Sequence, residues 1–293
     1  MADERRGSDL VSPVIRWFDR HERDLPWRHT TAWGVVVSEF MLQQTPVDRV
    51  LPRWHEWMDR WPAPVDLAAA PPADAIRAWG RLGYPRRARF LHAAAVRIAT
   101  EHGGEVPADE AALRALPGVG EYTAAAIRAF AFGRRSVVLD TNVRRVLARA
   151  VDGRERQSPS ISTVERTTAD ALWPRRDARS ARWSAAVMEL GALVCTARTP
   201  DCSRCPIRQR CAWNAAGRPV DEVAPRRQAT YEGSDRQARG AVLAVVRGAD
   251  APVALASLRD AWPDDAQRDR AVAGLIADGL VEVAEGGLLR LPT

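Results

Sequence analysis

All four cysteines of this chain, Cys195, Cys202, Cys205 and Cys211, fall within one seventeen-residue stretch. Their spacing is Cys-x6-Cys-x2-Cys-x5-Cys. No other feature constrains the fold so strongly, because four thiolates in one short loop force it to wrap an inorganic centre. Zinc ribbons use two Cys-x2-Cys knuckles set well apart, whereas this loop is tight and has a single knuckle. Spacing alone suits either zinc or a cubane iron–sulfur cluster. The opening residues, MADERRGSDL, are charged and lack the apolar stretch of a leader. A cytoplasmic setting is therefore expected, where clustered cysteines bind metal more often than they form disulfides. No apolar run approaches the roughly eighteen residues of a membrane span, so no membrane partner is expected.

The remainder of the chain reads as helices joined by short glycine or proline connectors. Apolar residues recur at helical spacing over 10–22, and 34–60 reads as two helices with Pro46 and Pro52 near starts or breaks. Further helical segments are expected at 73–82, 86–102, 108–115, 121–132, 140–151, 163–173 and 181–194. Residues 23–33 and 154–162 read as loops, and nothing before residue 240 alternates as a strand should. The fold class is therefore all-α. Residues 214–238 are polar and poor in large aliphatics, as a linker is. Beyond them, 239–248, 253–262 and 265–279 read as short helices, and 280–291 as a hairpin turning at Gly286–Gly287. Three helices and a hairpin make a small winged-helix-like α/β tail, and a packing or dimerisation domain would show the same pattern. A length of 293 residues with 46% hydrophobic content suits two domains.

The formal charge of +6 and pI of about 9.8 fit a polyanionic partner. All 43 basic residues are arginine, so no side-chain amine exists to form a Schiff base.

Three strings carry possible chemistry. In LPGVGEYTAAAI (116–127), Gly118 and Gly120 permit a tight turn before a helix whose free N–H groups suit a phosphate. In VVLDTNVRRVLAR (137–149), Asp140 precedes a helix and is an attractive N-cap, with Thr141 the rival cap. In VVVSEFMLQQTPV (35–47), Glu39 stands in an otherwise apolar stretch. It is either a buried glutamate paired with an arginine or a carboxyl whose raised pKa makes it a general acid.

These strings, with MELGALVC leading into the cysteine loop, resemble the adenine DNA glycosylase (MutY) family of the helix-hairpin-helix superfamily, over roughly residues 10–215. The resemblance implies two helical lobes with a DNA groove between them. It places 30–133 as a helix-hairpin-helix module and 134–213 as a cluster lobe joined by 1–29, with 214–238 as linker and 239–293 as tail. It implies a [4Fe–4S] cluster on the four cysteines, pinning a loop that displays Arg198, Arg204, Arg208 and Arg210 toward phosphates. Glu39 becomes the acid that protonates the leaving adenine. Asp140 becomes the carboxylate that stabilises an oxocarbenium-like sugar, facing Glu39 across the groove and positioned by Asn142. Tyr122 occupies the position where bifunctional members carry lysine, so base removal without strand cleavage is expected. Gln44 is the residue entering the stack beside the lesion base, and Tyr84 the wedge on the opposite strand. Trp27, Arg28 and Glu189 line the adenine pocket.

The implied partner is duplex DNA with adenine mispaired opposite 8-oxoguanine, or opposite guanine or cytosine, bound by a monomer. Many members end in a longer Nudix-like domain that recognises 8-oxoguanine. That domain is not found in 214–293, and the short tail resembles the ending of actinobacterial members. A thymine or uracil mismatch glycosylase is the competing enzyme, against which Glu39 argues. A catalytically silent, cluster-bearing DNA-binding protein is the competing non-enzyme, against which the Glu39–Asp140 pair argues.

Overall fold

A computed structural model describes residues 2–221 and 230–293; positions 222–229 of the expected linker lie outside the described residues. The helices are α1 (Ala2–His21), α2 (Ala32–Leu42), α3 (Val47–Arg60), α4 (Pro64–Ala69), α5 (Pro72–Trp79), α6 (Arg86–Glu101) and α7 (Glu110–Ala115). They continue with α8 (Glu121–Phe132), α9 (Thr141–Ala150), α10 (Thr163–Leu172), α11 (Asp177–Leu193), α12 (Ala212–Ala215), α13 (Asp235–Gly248) and α14 (Asp265–Ala277). The antiparallel strands β1 (Glu282–Val283) and β2 (Leu289–Arg290) follow, paired Glu282 to Arg290 and Val283 to Leu289.

Local chemistry explains the starts and stops. Asp140, Ser162, Ser234 and Asp264 cap α9, α10, α13 and α14, each side-chain oxygen accepting the amide three residues on. Pro46 caps the start of α3, whereas Pro52 lies inside that helix and does not break it. Helix α4 escapes a periodicity search because six residues show no repeat; Asp66 accepts from the Ala63 amide at 2.9 Å to hold its first turn. The helix expected at 253–262 is a single 3-10 turn, Leu255–Leu258. Pro252 precedes it, and Val253 pairs instead with Leu289 through both backbone bonds, at 2.7 and 2.8 Å. The tail thus runs helix, bridging residue, 3-10 turn, helix and hairpin, with Gly286 and Gly287 supplying φ of 70° and 73° at the turn.

The chain divides into two units. The first holds residues 1–35, 108–114 and 119–225, and the second 36–107, 115–118 and 226–293. In the first, α1, α9, α10 and α11 enclose one core that includes Val14, Phe18, Val143, Trp173, Trp183 and Leu190. Trp173 and Trp183 meet edge to face at 5.9 Å, and Cys195, Cys205 and Cys211 pack against the rim of this core. In the second unit Trp57 meets Trp61 and Trp79 edge to face at 4.9 and 5.6 Å. There α4 packs on α6, and α13 packs on both α14 and α5, so the tail belongs to this unit. Among the described residues no helix is long and apolar enough to cross a membrane.

Candidate functional site

Glu39 lies on α2, within an unbroken buried run from Trp33 to Met41, and is only 6% exposed. Its neighbours Val35, Val36, Val37, Phe40 and Met41 are all buried, so Glu39 is a buried carboxylate on a helix of mostly apolar residues.

Asp140 belongs to the first unit and opens α9. Its Oδ1 accepts the Val143 amide at 2.6 Å, and its Oδ2 accepts the Asn142 side-chain amide at 2.8 Å. Burial pushes its carboxyl above the usual aspartate range, against the lowering effect of those hydrogen bonds and of Arg145. The Asn142 amide cannot turn over, because its Oδ1 accepts from Arg145 at 2.8 Å. Arg145 is itself buried and donates to the carbonyls of Gly191 at 2.7 Å and Cys195 at 2.8 Å. One chain of hydrogen bonds therefore runs from the cysteine loop to Asp140.

The cysteine loop is anchored by a second arginine. Arg149, 2% exposed, donates to the Cys195 sulfur at 3.4 Å and to the carbonyls of Thr196 and Ala197 at 2.7 and 3.0 Å. Cys195, Cys202, Cys205 and Cys211 line one cavity together with Arg149 and Trp213. Among the described residues no three His, Cys, Asp or Glu converge on a single metal-ion position. Four thiols lining one cavity fit a cubane, which offers one iron to each thiolate. Burial pushes the Cys205 thiol up to about 12, and Cys211 in the same direction. The iron charge of a cluster is what reverses such a shift and holds the thiolates. Arg198, Arg204, Arg208 and Arg210 are exposed around the loop.

Two of the three expected pocket residues are brought together. The carboxylate of Glu189, 2% exposed, accepts Arg23 at 2.7 and 2.9 Å and lies 3.1 Å from Arg28. Burial raises its pKa, but the Arg23 hydrogen bonds and both arginine charges overcome this and hold it below the ordinary glutamate range. Trp27 sits in the 3-10 turn Pro26–Arg28 beside them in sequence, half-buried.

Tyr122 is the second residue of α8 and packs against Ala126, Ala129 and Val138. The turn before it fits its glycines: Gly118 has φ of 78°, and a Cβ there would strike Phe90 and Phe40 at 2.7 and 2.8 Å. Gly120 caps α8 with open space where its side chain would be.

Gln44 and Tyr84 are two of only three non-glycine residues with positive φ among the described residues, at 55° and 46°, and both are exposed. Such backbone costs on the order of 1 kcal/mol or more, and it persists only when its surroundings dictate it. Here Arg87 dictates it. Buried at 6% exposure, Arg87 donates to the carbonyls of Phe40 and Met41 at 2.9 and 3.0 Å and to that of Gly83 at 3.0 Å, and it also bonds the Gln43 carbonyl. It further donates to the Thr45 hydroxyl at 3.0 Å. One guanidinium thus ties the loop carrying Gln44 to the loop carrying Tyr84. Burial lowers its pKa to about 10, so it stays charged at neutral pH.

Sequence reasoning missed four residues. Arg87, Arg145 and Arg149 look like surface arginines in a chain with 43 basic residues, and nothing in the sequence marks them as buried. Gly191 did leave a signal: a glycine inside a helix costs about 1 kcal/mol and needs a reason. The reason is contact, since a Cβ there would lie 2.8 Å from both the Cβ and the carbonyl oxygen of Asn142.

Comparison with known proteins agrees with these features. Residues 37–171 match the HhH-GPD superfamily of base excision DNA repair proteins, and residues 195–211 match the iron–sulfur binding domain of endonuclease III. The four cysteines accordingly form the binding loop of a [4Fe–4S] cluster. An adenine DNA glycosylase of Mycobacterium tuberculosis is 52% identical over 284 residues, covering 95% of this chain and 92% of the relative. One from Mycolicibacterium smegmatis is 50% identical over 286 residues, covering 96% of each. Among solved structures, a thermostable thymine-DNA glycosylase superposes with a TM-score of 0.66 at 25% identity, covering 74% of this chain and all of the other. With half its residues shared along nearly the full length of both chains, this protein belongs to the adenine DNA glycosylase family of the helix-hairpin-helix base excision repair superfamily.

Proposed function

We propose that this protein is a monofunctional adenine DNA glycosylase, removing adenine mispaired with 8-oxoguanine and, with lower preference, adenine opposite guanine or cytosine. The observation that carries the reading is the setting of Asp140. A carboxylate capped by Val143 and held by Asn142, yet disfavoured by burial, gains most when a positive charge develops beside it. Departure of a purine from deoxyribose creates that charge on the sugar.

Glu39 supplies the proton. Its burial suits a carboxylic acid that gives its proton to a ring nitrogen of adenine as the glycosidic bond breaks. The bond's electron pair leaves with the base, and water adds to the anomeric carbon, giving free adenine and an abasic site. Tyr122 stands where a lysine would be needed for attack as an amine, and the chain has no lysine at all, so the backbone stays intact. Gln44 and Tyr84, exposed on strained turns, enter the base stack and keep the flipped adenine out. Trp27, Arg28 and Glu189 hold the extruded base. Gly118 and Gly120 let the hairpin approach a phosphate, and the arginines of the cluster loop grip the duplex without reading sequence. The protein acts as a monomer on double-stranded DNA.

A second reading, thymine removal from mismatches, is favoured by the likeness to the thymine-DNA glycosylase structure. Base release from duplexes carrying adenine opposite 8-oxoguanine, guanine or cytosine, and thymine opposite guanine, decides between the two. Release of adenine alone, with strand scission only after alkali, is expected. Thymine release, or a borohydride-trapped complex with DNA, would overturn the reading.

A further inference from the structure

The tail has the build of a small winged helix, but its exposed faces do not suit DNA. Helix α14 and its cap present Asp264 and Asp269, Asp265 pairs with Arg268, and Arg270 is engaged by Asp235 at 3.1 Å. The hairpin carries Glu282, which takes Arg290 at 2.6 Å, and exposed Glu285 beside the glycine turn. Residues 230–293 hold ten acidic side chains against seven arginines, in a chain whose overall charge is +6. Phosphates would be repelled where a winged helix usually receives them.

The arginines of the second unit instead join this tail to the loop between α5 and α6. That loop is 80–85, and it carries Tyr84. Each carbonyl from Gly80 to Tyr84 has a donor. Arg247 of α13 donates to Gly80, Arg49 to Arg81, Arg87 and Thr45 to Leu82, Trp79 and Arg87 to Gly83, and the Arg87 amide to Tyr84. Gly80 has φ of 57° and ψ of −125°, a conformation for glycine alone, so the loop leaves α5 by a turn that needs holding. Arg247 holds it at a cost, being half-buried beside the like charges of Arg53 and Arg81. At the far end of the loop, the tail meets the first turns of α6. Asp278 shares its carboxylate between Arg239 of α13 and Arg86, the latter at 3.4 Å, and its backbone carbonyl accepts Arg89 at 3.0 Å. Gly279, at φ of 63°, leaves room for Arg89, which a Cβ would approach to 2.9 Å.

We propose that the C-terminal module is a brace for Tyr84, with Arg247 and Asp278 clamping the two ends of its loop, and that Arg247 is a positioning residue for base extrusion. This rests on Tyr84 being the wedge. The tail then acts on specificity from behind, by fixing how far Tyr84 enters the duplex, and does not itself read the strand.

The test is a double-mutant cycle in the full-length, cluster-loaded protein. Single-turnover adenine release opposite 8-oxoguanine is measured for wild type, Tyr84→Ala, Arg247→Ala, Arg247→Lys and the Tyr84/Arg247 double alanine variant. A 2-aminopurine beside the adenine reports unstacking. Arg247→Ala is expected to slow release about tenfold and to blunt the fluorescence rise, because a charged donor to a backbone carbonyl is lost. Arg247→Lys is expected to restore part of both. In the Tyr84→Ala background the Arg247 substitution should add nothing. Arg86→Gln, which removes the pair with Asp278 but leaves Arg239 and Arg247 in place, should show the same dependence on Tyr84, which separates bracing from general damage to the fold. If the Arg247 and Tyr84 effects multiply, or Arg247→Ala is as fast as wild type, the brace is refuted while the wedge stands. If Tyr84→Ala alone releases adenine and unstacks the probe like wild type, the wedge assignment fails and the brace with it.

Discussion

Asp140 is at once a helix cap and the proposed sugar stabiliser, and the two roles have opposite signatures. Its folded pKa lies above the unfolded value. The stability linked to it is therefore complete below the ordinary aspartate range and is lost as pH rises through the raised value. At neutral pH the ionised carboxylate is a net burden on the fold beside its value as a cap. Asp140→Asn is thus expected to abolish adenine release while moving the melting temperature by only a few degrees. Wild-type activity should fall on the acid side at a pH above that of an ordinary aspartate. A folded variant that still releases adenine would show that capping is all the residue does. Glu189 has the reverse sign. Its pKa is lowered, so its contribution is present above the ordinary glutamate range and is lost as pH falls through the folded value. Glu189→Gln leaves Arg23 and Arg28 without their shared carboxylate and is expected to cost about 3 kcal/mol by chemical denaturation at neutral pH. That difference should shrink in acid.

At the scale of elements, Gly191 lets α11 lie directly on the start of α9. Gly191→Ala is expected to displace Asn142, and with it Asp140, so that adenine release falls at least tenfold although the helix itself gains propensity. Unchanged turnover in that variant would show that the contact has slack. Arg87 joins the end of α2 and two loops through six carbonyl oxygens, those of Phe40, Met41, Gln43, Leu82, Gly83 and Tyr84. Arg87→Met would leave these without that donor and is expected to cost 3 kcal/mol or about that. The elements themselves were largely legible in the sequence, because amphipathic helices with proline and glycine at their ends announce themselves. Helix 121–132 matches α8 residue for residue, and 163–173 matches α10 to within one. Helix α4 and the segment 253–262 were not legible, the first being too short for a period and the second decided by pairing with Leu289, a contact distant in sequence. Candidate site residues were legible where a motif names them. The buried arginines were not, because burial of Arg145 and Arg149 is decided by carbonyls more than forty residues away.

At the scale of the whole molecule, the net charge of +6 is carried by arginine alone and is unevenly placed, with the tail acidic and the cluster loop basic. Duplex binding should weaken steeply with salt, and Arg204→Gln and Arg208→Gln should each lower the salt slope by about one if each touches a phosphate. A slope unchanged in both variants would remove the cluster loop from the interface. The central claim is that two carboxylates, Glu39 on α2 and Asp140 at the head of α9, remove adenine from duplex DNA. Its most direct test is single-turnover adenine release from a duplex with adenine opposite 8-oxoguanine, using cluster-loaded wild type, Glu39→Gln and Asp140→Asn. Rapid release by wild type, with loss of a hundredfold or more in each variant while duplex binding persists, is the expected result. Release that survives either substitution, or none from the wild-type protein, would contradict it.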